Sequence, residues 1–91
     1  MELESLIKGL SQRSKEEILE GLTNIVLKSS NQLSSSLAKS FLYKFQKNEL
    51  TSNEGLAQLI EISKALEYEK TLDFLSKKGF QELVNFLKTM K

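Results

Sequence analysis

The sequence predicts an all-α protein, a compact bundle or orthogonal array of five to six short amphipathic helices. Three observations carry this expectation. Seventeen leucines stand against seven Ile plus Val and Pro is absent, so most apolar side chains lose little rotamer freedom in a helix and nothing breaks one outright. Apolar residues recur at three- and four-residue spacing, while no segment of useful length alternates apolar with polar, which leaves strands without support. At 91 residues, 40% hydrophobic and 27% charged, the chain has the composition of one folded domain spanning 1–91 and not of a disordered tail.

The first helix is expected from Glu2 to about Gln12, where Leu3, Leu6, Ile7 and Leu10 form one apolar stripe. Ser14 with Glu17 has the spacing of a capping box and opens a second helix whose buried face is Ile18, Leu19, Leu22, Ile25 and Val26. Leu27 lies off that stripe. The cap-rich run Ser29-Ser30-Asn31-Gln32 reads as a turn. A third helix, about Leu33 to Lys47, carries Leu37, Phe41 and Phe45 at strict i, i+4 spacing, with Leu42 widening the face.

Asn48 to Asn53 reads as a second turn, and Thr51 with Glu54 as another capping box. The fourth helix, about Ser52 to Lys70, places Leu56, Leu59, Ile60, Ser63 and Leu66 on one side, with Ile62 extending that face. Beyond it, either Thr71 caps a short fifth helix containing Leu72, Phe74 and Leu75, or the fourth helix continues. Lys77-Lys78-Gly79 is the clearest stop: two cations complement the negative helix end and Gly supplies a left-handed residue after it. A last helix, Phe80 to about Met90, presents Phe80, Leu83, Val84, Leu87 and Met90, with Phe86 at the edge of the face.

The absent residue types restrict chemistry. With no Cys and no His there is no disulfide framework, thiolate nucleophile, imidazole base or zinc site of the usual kind. Glu69 and Asp73, one turn apart, could share a proton or hold a divalent ion, but Lys70 and Lys77 are placed to neutralise them, and a hard cation wants more oxygen ligands. The four glycines are isolated, so no phosphate-cradling loop is present. The expectation is a protein that is not an enzyme and needs no cofactor or metal. Met1-Glu2-Leu3-Glu4 lacks the start of a signal peptide and no apolar run approaches a membrane span, so a complete, cytoplasmic chain with no membrane partner is expected.

Leu56-Ala57-Gln58-Leu59-Ile60-Glu61-Ile62-Ser63 resembles the core of a helix-turn-helix over eight residues. It departs from that family where Glu61 replaces the turn glycine, and Glu67, Glu69 and Asp73 would repel a phosphate backbone; the reading is a continuous amphipathic helix. A second polar feature is Lys39, Tyr43 and Lys47 repeating every four residues opposite Phe41 and Phe45, with Lys44 beside them. Such a pattern suits contact with phosphates or the rim of a protein interface, or an ordinary solvated face. Lys77, Lys78 and Lys88 extend the phosphate-contact reading to the C-terminal region.

The third feature is apolar. The fourth and last helices have faces about 160° wide, against the roughly 100° stripe that covers one core. The excess reflects packing against two neighbours or a docking strip, and Leu27, Ile62, Phe86 and Met90 are the residues expected at a partner surface. The function expected is therefore a non-catalytic protein–protein interaction module or small accessory subunit docking on a larger protein. The alternatives are a nucleic-acid-binding helical protein using the lysine faces and a homo-oligomer made with a second copy of the chain.

Overall fold

The computed structural model describes residues 2–30, 36, 39–40, 42–44 and 47–89. Among them the regular elements are α1 (Glu2–Lys8), α2 (Gln12–Leu27), α3 (Lys47–Leu50), α4 (Asn53–Leu66), α5 (Tyr68–Lys77) and α6 (Gln81–Thr89), with no strand. The described positions between 36 and 44 are helical as well, in keeping with the third helix read from the sequence. The turn at Asn31-Gln32 and the apolar positions Leu37, Phe41 and Phe45 lie outside the described residues.

α1 is shorter than its periodicity suggests: Leu3 and Ile7 are fully buried, but the helix stops at Lys8 and a turn follows, Leu10 N–H donating to the Ile7 carbonyl at 2.9 Å. The capping of α2 is corrected accordingly. Ser11, extended at φ −70° and ψ 162°, is the N-cap; its Oγ accepts the Ser14 N–H at 3.1 Å, which makes Ser14 the third residue of the helix and not its cap. The same correction holds at α4. Ser52 (φ −67°, ψ 159°) accepts the Gly55 N–H at 3.1 Å, and Thr51 is buried before the helix begins. Gly55 at this third position has a reason: a Cβ there would run into the Glu49 carbonyl oxygen and the Leu50 Cα, so α3 packs backbone to backbone on the start of α4. Part of the segment read as the second turn is thus the single helical turn of α3.

α4 is the central element. It packs against α1, α2, α3 and α5, while α6 closes against α5 and α1. Ile18, Leu22, Leu56, Leu59, Ile60, Leu75 and Leu87 are fully enclosed in one continuous apolar cluster, and each such side chain contributes about 1.5–3 kcal/mol by leaving water. The radius of gyration is 12.0 Å, near the value of about 12 Å for a folded chain of this length.

The helix read as Ser52 to Lys70 breaks at Glu67, which adopts φ −141° and ψ 73° with neither Gly nor Pro nearby. Its N–H closes α4 on the Ser63 carbonyl at 2.8 Å and its own carbonyl accepts the Thr71 N–H at 2.9 Å, opening α5. Thr71 is accordingly inside α5 and not its cap. Across this bend Ser63 Oγ and Thr71 Oγ1 share a 2.6 Å hydrogen bond with both residues fully buried. The Glu67 carboxylate accepts from Ser29 Oγ at 3.2 Å and pairs with Lys70 Nζ at 3.3 Å, tying the end of α2 to the bend.

α5 ends as the sequence reads. Gly79 at φ +86° lets its N–H reach the Ser76 carbonyl and the Phe80 N–H reach the Leu75 carbonyl at 2.9 Å, the two bonds of a Schellman motif. Leu56 to Ser63 is uninterrupted helix, so the eight-residue resemblance to a helix-turn-helix does not extend to a turn. Across α2 and α5, a Cβ at Gly21 would overlap the Phe74 ring, so the ring lies directly on α2 backbone.

Candidate functional site

α2 buries Ile18, Leu19, Leu22 and Val26, which turns Thr23 and Leu27 towards the helical positions 39–40 and 42–44. Between them lies a cleft of about 300 Å³, walled by Leu19, Thr23 and Leu27 of α2, by Lys39, Leu42 and Tyr43 opposite, and by Leu50 of α3. Five of these seven side chains are apolar or aromatic. The two large hydrophobic residues exposed among the described residues, Leu27 (43%) and Tyr43 (86%), both belong to this cleft. The structure thereby joins two features that sequence reasoning held apart, the off-stripe leucine of α2 and the Lys39/Tyr43 row.

The cleft continues along α2. Leu19 and Thr23 also border a wider trough of about 580 Å³ whose other walls include Arg13, Glu16, Glu17 and Glu20. Arg13 Nε lies 3.7 Å from Glu17 Oε1, an exposed i, i+4 pair. Three carboxylates and one guanidinium line this trough, and Lys39 stands in the wall of the cleft at the Leu27 end.

The other nominated residues fall elsewhere. Ile62 and Phe86 are half-buried and pack against the core; a central helix with four neighbours needs the wider face that includes Ile62, and α6 packs against both α5 and α1. Met90 and the Lys47 side chain lie outside the described residues. Lys44, Lys77, Lys78 and Lys88 are exposed and Lys39 is half-exposed. Lys77 Nζ is 3.0 Å from Asp73 Oδ2, and Lys78 borders a depression with Glu17, Glu20, Asn24 and Phe74. Lys39 and Lys78 therefore border different depressions on α2, the first with Leu19, Thr23 and Leu27 and the second with Glu17, Glu20, Gly21 and Asn24.

Glu69 is exposed, and Lys70 pairs with Glu67 in its place. Among the described residues no three carboxylates converge as a metal site, no buried side-chain polar atom lacks a partner, and no helix is long and apolar enough to cross a membrane. Sequence reasoning assigned Leu19, Thr23, Leu42 and Leu50 of the cleft to no site; Leu19 and Leu42 were read as core-facing, and Leu50 sits in a segment rich in turn formers. The available clue was that Leu27 and Leu42 both lie off or at the edge of their helices' main stripes. Comparison with protein-family models, curated proteins and solved structures gives no match at any of the three levels.

Proposed function

We propose that the protein is a non-catalytic interaction module that docks on a larger protein by receiving an apolar anchor side chain of that partner between α2 and the 39–44 segment. One observation carries the reading: the two large hydrophobic side chains left most in water among the described residues, Leu27 and Tyr43, come from different helices and flank the same apolar cleft. A volume of about 300 Å³ suits one or two anchor side chains, and interface energy concentrates in such anchors seated in desolvated pockets. Covering a Leu side chain recovers about 1.5–3 kcal/mol, and a tyrosine contributes a large area at low conformational cost.

The lysines favour this reading over a phosphate track. A nucleic-acid backbone needs cations in a continuous line, whereas Lys39 and Lys78 border different depressions on α2 and Lys77 is engaged by Asp73. The test is recovery of partners from the native extract by tagged wild-type protein and by the Leu27→Glu and Lys88→Glu variants, with folding of each checked by circular dichroism. The reading expects a stoichiometric partner retained by wild type and Lys88→Glu and lost by Leu27→Glu. A partner that survives Leu27→Glu, or salt-dependent binding of an oligonucleotide lost on Lys39→Glu, would replace it.

A further inference from the structure

Independently of the docking reading, we infer that Glu67 is an exchange hinge: α4 and α5 join there into one continuous helix, which hands α5 and α6 to a second copy of the chain. The local sequence favours that helix. From Leu56 to Lys78 there is no Gly, Pro or Asn, and Leu66, Glu67, Glu69 and Lys70 at the bend are all strong helix formers. The backbone ladder nevertheless stops and restarts. Glu67 N–H makes the last bond of α4, to the Ser63 carbonyl, and Thr71 N–H makes the first bond of α5, to the Glu67 carbonyl. Running the helix through Glu67 would join the Tyr68, Glu69 and Lys70 N–H groups to the Lys64, Ala65 and Leu66 carbonyls, bonds of the helical ladder that the bend forgoes. Two side-chain bonds oppose them, the buried Ser63–Thr71 pair and Ser29 on the Glu67 carboxylate. Straightening parts Ser63 from Thr71, since residues eight apart on one helix stand about 12 Å apart along its axis. The Glu67–Lys70 ion pair survives, because i, i+3 neighbours share a helix face.

A straight helix does not fit within one copy. A single helix from Asn53 to Lys77 runs about 37 Å at 1.5 Å per residue, against a longest molecular dimension of 31 Å. α5 and α6 then project from their own chain, and Leu72, Leu75, Leu83, Val84 and Leu87, all buried in the bent form, lose their cover. The faces of α1, α2 and α4 on which α5 and α6 now pack lose theirs as well. A second copy in the same state covers both sets, because exchange remakes the packing of α5 and α6 between chains and alters only the hinge. The bent monomer and the exchanged dimer thus bury the same core, and the balance between them is set at Glu67 and by concentration. The cleft residues, Leu19 to Leu50, all precede the hinge, so an exchanged dimer presents two complete clefts, the arrangement that rewards two linked anchors on one partner.

The experiment links α2 of one chain to α5 of another. The chain has no Cys, so introduced cysteines are unique, and Asn24 and Lys78, both exposed, border one depression between α2 and the end of α5. The Asn24→Cys and Lys78→Cys proteins are unfolded together in urea, refolded at low and high concentration, and treated with a short bis-maleimide; covalent heterodimer is read on a denaturing gel. Heterodimer is expected to grow with concentration, and in a Ser63→Ala/Thr71→Val background to reach the same yield at about tenfold lower concentration, equivalent to 1.4 kcal/mol per dimer. Tyr68→Pro suits the first position of α5 but breaks a helix running through it, and is expected to abolish the link; Tyr68→Ala, which loses the same ring, is expected to keep it. A dimer in sedimentation without the 24–78 link, a link that survives Tyr68→Pro, or no link at high concentration even from Ser63→Ala/Thr71→Val overturns the hinge. Leu27→Glu is expected to leave the link intact, and its loss there would assign the contact to the cleft and overturn exchange. Partner capture from an extract is a separate readout, so failure of the hinge leaves the docking reading standing.

Discussion

The bend between α4 and α5 is held by a hydrogen bond that can be taken apart one hydroxyl at a time. Ser63 and Thr71 are fully buried, and their side-chain oxygens are 2.6 Å apart. Replacing Ser63 by Ala removes a bond that stabilises by about 0.5–1.5 kcal/mol and strands the Thr71 hydroxyl away from water, so the total loss is about 1–3 kcal/mol. Thr71→Val keeps the shape of Thr71 and strands Ser63 in the same way. With both hydroxyls gone no polar group is left unpaired, and the double variant Ser63→Ala/Thr71→Val is expected to lose less than the sum of the single changes by at least 1 kcal/mol. Urea titration at 25 °C of the four proteins completes the cycle, and in a domain of this size each kcal/mol corresponds to roughly 4–8 °C in Tm. Single losses that simply add would refute the reasoning, because they would show each hydroxyl satisfied by a helix carbonyl one turn back, the local bond open to Ser and Thr.

Other substitutions test the close approaches. Gly21→Ala is expected to destabilise by about 1 kcal/mol, because its methyl group displaces the Phe74 ring; in a Phe74→Ala background the same change should stabilise by up to about 1 kcal/mol through helix propensity, a reversal of sign readable in Tm. Gly55→Ala has backbone in its way and should cost about 1–3 kcal/mol by denaturant titration. Gly79→Ala should cost about 1–2 kcal/mol although the space around it is open, since the penalty lies in its φ of +86°. By contrast, Asp73→Asn removes an exposed ion pair and should change stability by less than about 0.5 kcal/mol.

The helical class, the stop at Gly79 and the α2 core face were legible because each depends on residues within a few positions of one another. Lys77-Lys78-Gly79 states its own Schellman geometry, and the spacing of Ile18, Leu19, Leu22 and Val26 states their common burial. The caps shifted by one to three residues because Ser11 and Ser14, like Thr51 and Ser52, are competent alternatives; packing chose between them, with Gly55 fitting beneath Glu49 only if the helix starts after Ser52. The break at Glu67 has no local punctuation at all. It is fixed by groups distant in sequence, the Ser63–Thr71 bond across the bend and the Ser29 hydroxyl on the Glu67 carboxylate.

The cleft was half legible for the same reason. An off-stripe Leu27 is visible on a helical wheel, but that it stands opposite Leu42 and Tyr43 is a matter of how two helices meet. Ile62 and Phe86 show the converse. Their wide faces look surplus on isolated helices, and the neighbours that α4 and α6 pack against take up that width.

The most direct test of the docking cleft is site-specific photocrosslinking. A benzophenone side chain is placed by Tyr43→benzoylphenylalanine, and separately by Glu61→benzoylphenylalanine at an exposed position of α4 outside the cleft; each protein is irradiated in its native extract. One discrete protein adduct is expected from position 43, suppressed by Leu27→Glu, and none from position 61. Equal labelling from both positions, or an adduct from 61 alone, would contradict the docking cleft.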